Sequence, residues 1–383
     1  MWDEWVSGEL QRVRERGQWR SLRPLEGRGP VFTDPTGRRL VSFASNDYLC
    51  LSSHPEVVSA AAEAARTWGA GSGSSRLIVG DRPVHHGLER ALAAWKGTES
   101  ALVFPSGYQA NVAVLSTFGG EGCRIVSDEW NHASIIDGAR LARAEVRVYR
   151  HGDVDHAAEL VRSAPGRTIV VSDSVFSMDG DVAPVEQLSR MCATEGSLLV
   201  LDDAHAVFEL PVLDRDAACL RVGTLSKSLG AQGGFVAGPT PYLELLVNRG
   251  RSFVFTTGLA PTSVAAAWAG LRVLLSDEGA GLVSRLRSHV DALVPGHPSP
   301  IVAVLLGSEA AALRAAERLL ADGLLVPAIR PPTVPPGTSR LRVSLSAAHS
   351  ETDVLRLATA LGALGQAAGD RAAPGQPSVT YRL

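Results

Sequence analysis

Through the middle of the chain, short apolar runs of strand length alternate with stretches of helical periodicity. The runs are Ala101-Leu102-Val103-Phe104, Arg124-Ile125-Val126, Val146-Arg147-Val148-Tyr149, Thr168-Ile169-Val170-Val171, Leu198-Leu199-Val200-Leu201 and Phe235-Val236-Ala237. Strands apolar at successive positions have both faces covered, which predicts a parallel α/β sheet. Ahead of this region, residues 1–44 read as an arm. It has an Arg-rich helical start and then a hairpin, in which Asp34-Pro35-Thr36-Gly37 turns the chain between Val31-Phe32 and Leu40-Val41-Ser42-Phe43. After residue 262 an Ala/Leu-rich helix runs through Leu275. Ile301 to Leu306 and Leu341 to Leu345 then alternate with two more helices, the pattern of a smaller α+β domain. The last fifteen or so residues, with Gly365, Gly369, Pro374, Gly375 and Pro377, read as a frayed tail. The predicted organisation is an arm over 1–44, a large domain over 45–276 and a small C-terminal domain over 277–383.

With 383 residues the chain has ample length for a sizeable core. Thirty-seven basic against forty acidic residues leave a net charge of -3, so there is no electrostatic footprint for nucleic acid or an anionic membrane. The N-terminus carries acids where a signal peptide would be basic, and no run approaches the length of a membrane span. Cys50, Cys123, Cys192 and Cys219 are scattered, with no zinc-type spacing, which fits a reducing cytoplasm. Only two residues, Lys96 and Lys227, are lysines, so any chemistry that needs an amine must use one of them.

In open α/β sheets ligands gather at the carboxyl ends of the strands, and the residues that follow the apolar runs are polar in a consistent way. Pro105-Ser106-Gly107-Tyr108-Gln109-Ala110-Asn111 leads from a strand into a helix whose first N–H groups would cradle a phosphate; an ordinary Ser-capped turn reads the same way. Asp202-Asp203-Ala204-His205 ends another run. A carboxylate there needs a cation or a donor, either a protonated pyridine nitrogen with His205 at the ring oxygen or a metal, although D-x-x-H lacks a third ligand. Lys227 sits in Thr224-Leu225-Ser226-Lys227-Ser228-Leu229-Gly230, among small residues that leave its amine accessible for a Schiff base. Lys96 instead ends a helix before Gly97, where its charge complements the helix dipole. Ser177 lies in a polar strand end and could donate to a phosphate, and His132 follows a strand either to stack on a flat cofactor or to begin a helix. No G-x-x-x-x-G-K-[ST] or G-x-S-x-G occurs, and Gly69 to Ser74 fails G-x-G-x-x-G at its last position.

An ordered set of segments resembles the α-oxoamine synthases. It comprises Asn46-Asp47-Tyr48-Leu49, Gly69-Ala70-Gly71 with Ser75-Arg76, His85 before Leu88-Glu89, Ser106-Gly107-Tyr108, Asn131-His132-Ala133-Ser134, Phe176-Ser177-Met178-Asp179-Gly180, Asp202 to His205, Thr224 to Lys227, and Arg330 to Pro335. The resemblance spans about residues 40 to 355. It implies a fold-type I pyridoxal-phosphate transferase of the aspartate aminotransferase-like class, with a mostly parallel seven-stranded sheet and a smaller α+β domain. It implies Lys227 as the Schiff-base lysine and proton-transfer base, Asp202 on the pyridine nitrogen, His205 on the ring oxygen and His132 stacked on the ring. Gly107, Tyr108, Ser177 and Thr224 would hold the phosphate, with Thr257 of a neighbouring subunit, Ser106 and Ser226 would also bind the cofactor, and Asn46 and Arg342 would orient the substrate carboxylate. No metal is implied.

The segment Arg330 to Arg342 with Ala347-Ala348-His349 is most similar to the branch that joins alanine to a pimeloyl thioester, delivered by coenzyme A or an acyl carrier protein, and works as a homodimer. Glycine, serine or another acyl chain are the alternatives within the family; a non-catalytic relative is the alternative outside it. Two departures stand out. The interval from His205 to Lys227 is short, and Cys50 occupies a position where the family commonly has glycine.

Overall fold

The structure is a computed structural model that describes residues 1–208, 213–214 and 216–369. The expected tail beyond 369, and part of the shortened segment after His205, lie outside these residues.

Seven strands form the central sheet: β1 (Ser100–Phe104), β2 (Cys123–Asp128), β3 (Glu145–Tyr149), β4 (Arg167–Asp173), β5 (Leu198–Asp202), β6 (Cys219–Thr224) and β7 (Gly234–Gly238). Their spatial order is β1-β7-β6-β5-β4-β2-β3. Alternate residues of each run point to opposite faces, and both faces are packed. Leu102, Ile125, Val171, Val200 and Val222 join one apolar cluster. Val103 and Phe235 join a second, and Val126, Val170 and Leu201 a third. Double coverage is why these strands read as continuous apolar runs; the edge strand β3 departs from that expectation, with Val146 and Val148 exposed and only Tyr149 buried. β4, β5 and β6 pair in parallel, as do β2 with β3 and β4, whereas β7 runs antiparallel to both β1 and β6. Only residues 225–233 join β6 to β7, too few for the crossover that a parallel neighbour requires.

Among the helices that cover the sheet are α1 (Pro83–Lys96), α2 (Gly107–Phe118), α3 (Ala133–Leu141) and α4 (Pro261–Leu274). α2 and α3 pack in the first apolar cluster, α1 and α4 in the second. No helix among the described residues is long and apolar enough to cross a membrane.

The chain divides into two compact units, one of residues 45–302 with 344–355, the other of residues 1–44 with 303–343 and the described residues from 356 on. The break therefore lies some way beyond the expected position at 276. The helix Asp277–Leu293 stays with the larger unit, in which Leu286 and Val290 are buried and His289 Nδ1 bonds the Ser346 carbonyl at 3.1 Å. In the smaller unit the predicted hairpin forms between Val31–Thr33 and Arg39–Ser42, with Gly37 N–H donating to the Asp34 carbonyl at 2.9 Å. Leu324–Leu325 extends that sheet by pairing with Val41 and Ser42.

Candidate active site

Within the larger unit, the carboxyl ends of β4, β5 and β6 and the start of α2 enclose a cavity of about 200 Å³. It is lined by Ser106, Gly107, Tyr108, His132, Ser134, Asp173, Asp202, Ala204, His205, Thr224, Ser226 and Lys227.

One end of the cavity is built for an anion. Ser106 caps α2, its hydroxyl accepting from Gln109 N–H at 3.1 Å, and the first N–H groups of the helix have no intrahelical acceptor. The start of β7 lies hard against this turn: a Cβ on Gly234 would stand 2.4 Å from the Gly107 nitrogen, so only glycine allows the approach. Thr224 Oγ1 and Ser226 Oγ, 2.6 Å apart, add hydroxyls to the same wall.

Another part of the lining is acidic. Asp173 and Asp202 are partners in register across β4 and β5, and both are buried. Asp202 accepts from Asn111 Nδ2 at 2.6 Å and from Ala204 N–H at 2.9 Å. Asp173 accepts from the backbone N–H of His132 at 2.8 Å. Burial, together with the neighbouring Asp202 charge, pushes the Asp173 carboxyl well above its ordinary value.

His132 caps α3, its Nδ1 accepting from Ser134 N–H at 3.2 Å, which is the helix-start position, and it also lines the cavity. Its surface opens to the cavity, yet the protein packed around it pushes its imidazole below the ordinary value. The Lys227 charge adds to this and Asp202 opposes it. Lys227 occupies the turn between β6 and β7, which Leu225 and Leu229 anchor in the apolar core on either side. The turn closes through Leu225 N–H to the Gly233 carbonyl and Ala231 N–H to the Leu225 carbonyl, both 2.9 Å.

The cavity thus unites Ser106, Gly107, Tyr108, His132, Asp202, His205, Thr224, Ser226 and Lys227. Ser177, Thr257 and Asn46 are in the same unit but do not line it, and Arg342 is buried on the strand Ser339–Ser344 of the other unit. Sequence reasoning missed Asn111, Ser134 and Asp173. Lys96 also differs from expectation: rather than only complementing a helix dipole, its ammonium pairs with buried Asp203 at 3.2 Å, and Asp203 also accepts from Arg221 Nε at 2.7 Å.

The donor set suits pyridoxal phosphate. The buried Asp202 carboxylate calls for a cation such as a protonated pyridine, helix N–H groups and hydroxyls suit a phosphate, and a lysine lies in the same cavity.

Residues 38–361 match the family described as aminotransferase class I and II. An 8-amino-7-oxononanoate synthase from Anaeromyxobacter dehalogenans is 46% identical over 380 residues, 94% of this chain and 95% of that protein. One from Burkholderia thailandensis is 47% identical over 350 residues, 85% of this chain and 89% of its own. Among solved structures, a serine palmitoyltransferase variant from S. paucimobilis with a bound PLP–myriocin aldimine superposes with a TM-score of 0.88 at 30% identity, over 95% of this chain and 98% of that one.

Proposed function

This chain belongs to the aminotransferase class I and II family, and from that premise we propose that it is a cytoplasmic homodimer that condenses L-alanine with a pimeloyl thioester. The products are 8-amino-7-oxononanoate, CO2 and the free thiol, a step of biotin biosynthesis. The observation that carries this reading is that Lys227, one of two lysines in the chain, shares a cavity with Asp202, His205 and His132. The relatives at 46% and 47% identity are named as synthases of that product, which supports the reading.

When bound, pyridoxal phosphate supplies an aldehyde carbon open to amines and an electron-poor ring that accepts the electron pair of a bond broken beside it. Asp202, held by Asn111, would keep the ring nitrogen protonated by charge pairing. His205 would donate to the ring oxygen, and His132 would lie on the ring face. The N–H groups of Gly107 and Tyr108, with the hydroxyls of Ser106, Thr224 and Ser226, would bind the phosphate. Ser177 and Thr257, the latter from the second copy, are further candidates. Asn46 would hold the alanine carboxylate and so decide which bond stands perpendicular to the ring. Lys227 would take the α-proton from alanine and return a proton once CO2 has left.

Dimerisation is supported by an apolar run with high exposure, Leu77 at 49%, Ile78 at 74% and Val79 at 66%. A second reading, an acyltransferase that uses serine and a longer acyl chain, is favoured by the similarity to serine palmitoyltransferase, but at the lower identity of 30%. Incubation with alanine, glycine and serine against pimeloyl and palmitoyl thioesters of coenzyme A and acyl carrier protein, with thiol release followed, separates the two. Alanine with a pimeloyl thioester is the expected pair, and serine with palmitoyl-CoA would replace it with the second reading.

A further inference from the structure

Behind His205 stands a tyrosine that the proposed chemistry does not use. Tyr48 has no exposed surface, and its hydroxyl lies 2.6 Å from His205 Nδ1 and 3.3 Å from Asn46 Oδ1. The ring is well fixed. The Tyr48 carbonyl accepts from Ala347 N–H at 2.8 Å, and the preceding Asp47 carboxylate accepts from the N–H groups of Leu51 and Ser52 at 3.0 and 3.2 Å. The arrangement joins a residue expected at the substrate carboxylate, a phenol, and a residue on the cofactor cavity.

A phenol has one proton to give, and a neutral imidazole is a donor at one nitrogen and an acceptor at the other. If the Tyr48 proton went to Asn46, the hydroxyl would accept from His205 Nδ1–H, and Nε2 would carry a lone pair. That lone pair would repel an anionic ring oxygen. If the proton goes to Nδ1, the hydrogen on the imidazole is forced onto Nε2, which then donates. At 3.3 Å the contact to Asn46 is longer than an O–H···O bond, whereas Nδ1 lies at 2.6 Å, so the phenol proton goes to Nδ1, the second arrangement.

We propose that Tyr48 is a positioning residue that holds His205 in its Nε2–H tautomer, so that the imidazole meets the cofactor's ring oxygen as a donor. The inference rests on the reading that the cavity takes pyridoxal phosphate, while the tautomer belongs to the protein itself. Loss of the phenol frees the imidazole to adopt either tautomer. The ring oxygen then keeps more negative charge and holds the proton beside it more tightly.

The test has two parts. In protein without cofactor, labelled with ¹⁵N-histidine and with His205 assigned by loss of its signals in His205→Gln, Nε2 carries the hydrogen and Nδ1 is the bare nitrogen. A hydrogen on Nδ1 in the wild-type protein overturns the inference. In cofactor-loaded protein, Tyr48→Phe raises the midpoint of the visible absorbance titration by roughly half to one pH unit, a shift that loss of packing alone does not produce. An unchanged midpoint in a Tyr48→Phe protein with wild-type cofactor absorbance also overturns it. A wild-type protein that takes up no pyridoxal phosphate would instead defeat the reading of the cavity, and leave the tautomer measurement standing on its own.

Discussion

The side-chain amide of Asn111, one turn into α2, donates to Asp202 Oδ2 across 2.6 Å at the end of β5. Its second proton goes to Ser134 Oγ at 2.9 Å, and Asn111 Oδ1 is buried without a partner. The Asp202 carboxylate fixes the orientation of the amide, because turning it over would place the oxygen against that carboxylate. Asp202 is thereby held toward the cavity by a neutral donor that leaves its charge available.

Removing that donor weakens the cofactor site without touching the cofactor. Asn111→Leu is expected to lower pyridoxal-phosphate affinity about tenfold, the size of one hydrogen bond to a charged group. Asn111→Asp, which sets a second negative charge against the first, lowers it further. Fluorescence titration of the stripped protein checks both, and equal affinity in Asn111→Leu would refute the role assigned to the amide.

Asp173 gives a pH dependence of opposite sign to that of a usual ion-paired carboxylate. Burial and the Asp202 charge raise its value in the folded protein above the unfolded one, so the native state prefers the protonated form. Its contribution is complete below the unfolded value of about 4 and is lost as the pH rises through the folded value. Asp173→Asn, a neutral stand-in that still accepts from His132 N–H, is expected to raise the melting temperature of the cofactor-free protein at pH 7, with the gain fading toward pH 4. A gain that grows toward acid would contradict this sign.

A second titration lies at the carboxyl end of β2, at Asp128. His151 stacks on Trp130 with ring centroids 3.8 Å apart and bonds Asp128 at 3.0 Å and Asp181 at 2.7 Å. Burial alone would depress its imidazole, but the two carboxylates outweigh it and push the value up to about 9. The native state therefore binds this proton more tightly than the unfolded chain does. The stabilisation is complete below about pH 6.5 and is lost as the pH climbs through about 9. Urea unfolding across that window should show wild-type stability falling relative to His151→Gln, and parallel curves would refute the assignment.

How much of this was legible in the sequence depends on what each signal encodes. The strands were readable because coverage on both faces leaves apolar runs, and Asp202, His205 and Lys227 because polar residues at strand ends break them. Asn111 escaped because a polar residue inside a helix carries no mark of the strand end it faces, 91 residues away. Asp173 escaped because its significance depends on register with Asp202, which periodicity along one strand does not carry. The Lys96–Asp203 pair is hidden for the same reason, being a contact across 107 residues. At Cys50 the backbone is left-handed, φ 57° and ψ 30°, a conformation that glycine adopts without strain, so the geometry accounts for glycine at this position and not for the cysteine.

The central claim, that Lys227 is the amine that carries pyridoxal phosphate, is tested most directly by borohydride reduction of the loaded protein followed by peptide mass spectrometry. The account predicts loss of the visible absorbance and a single pyridoxyl-phosphate adduct on the peptide containing Lys227, absent in Lys227→Ala. An adduct on Lys96, or none on a folded wild-type protein, would contradict it.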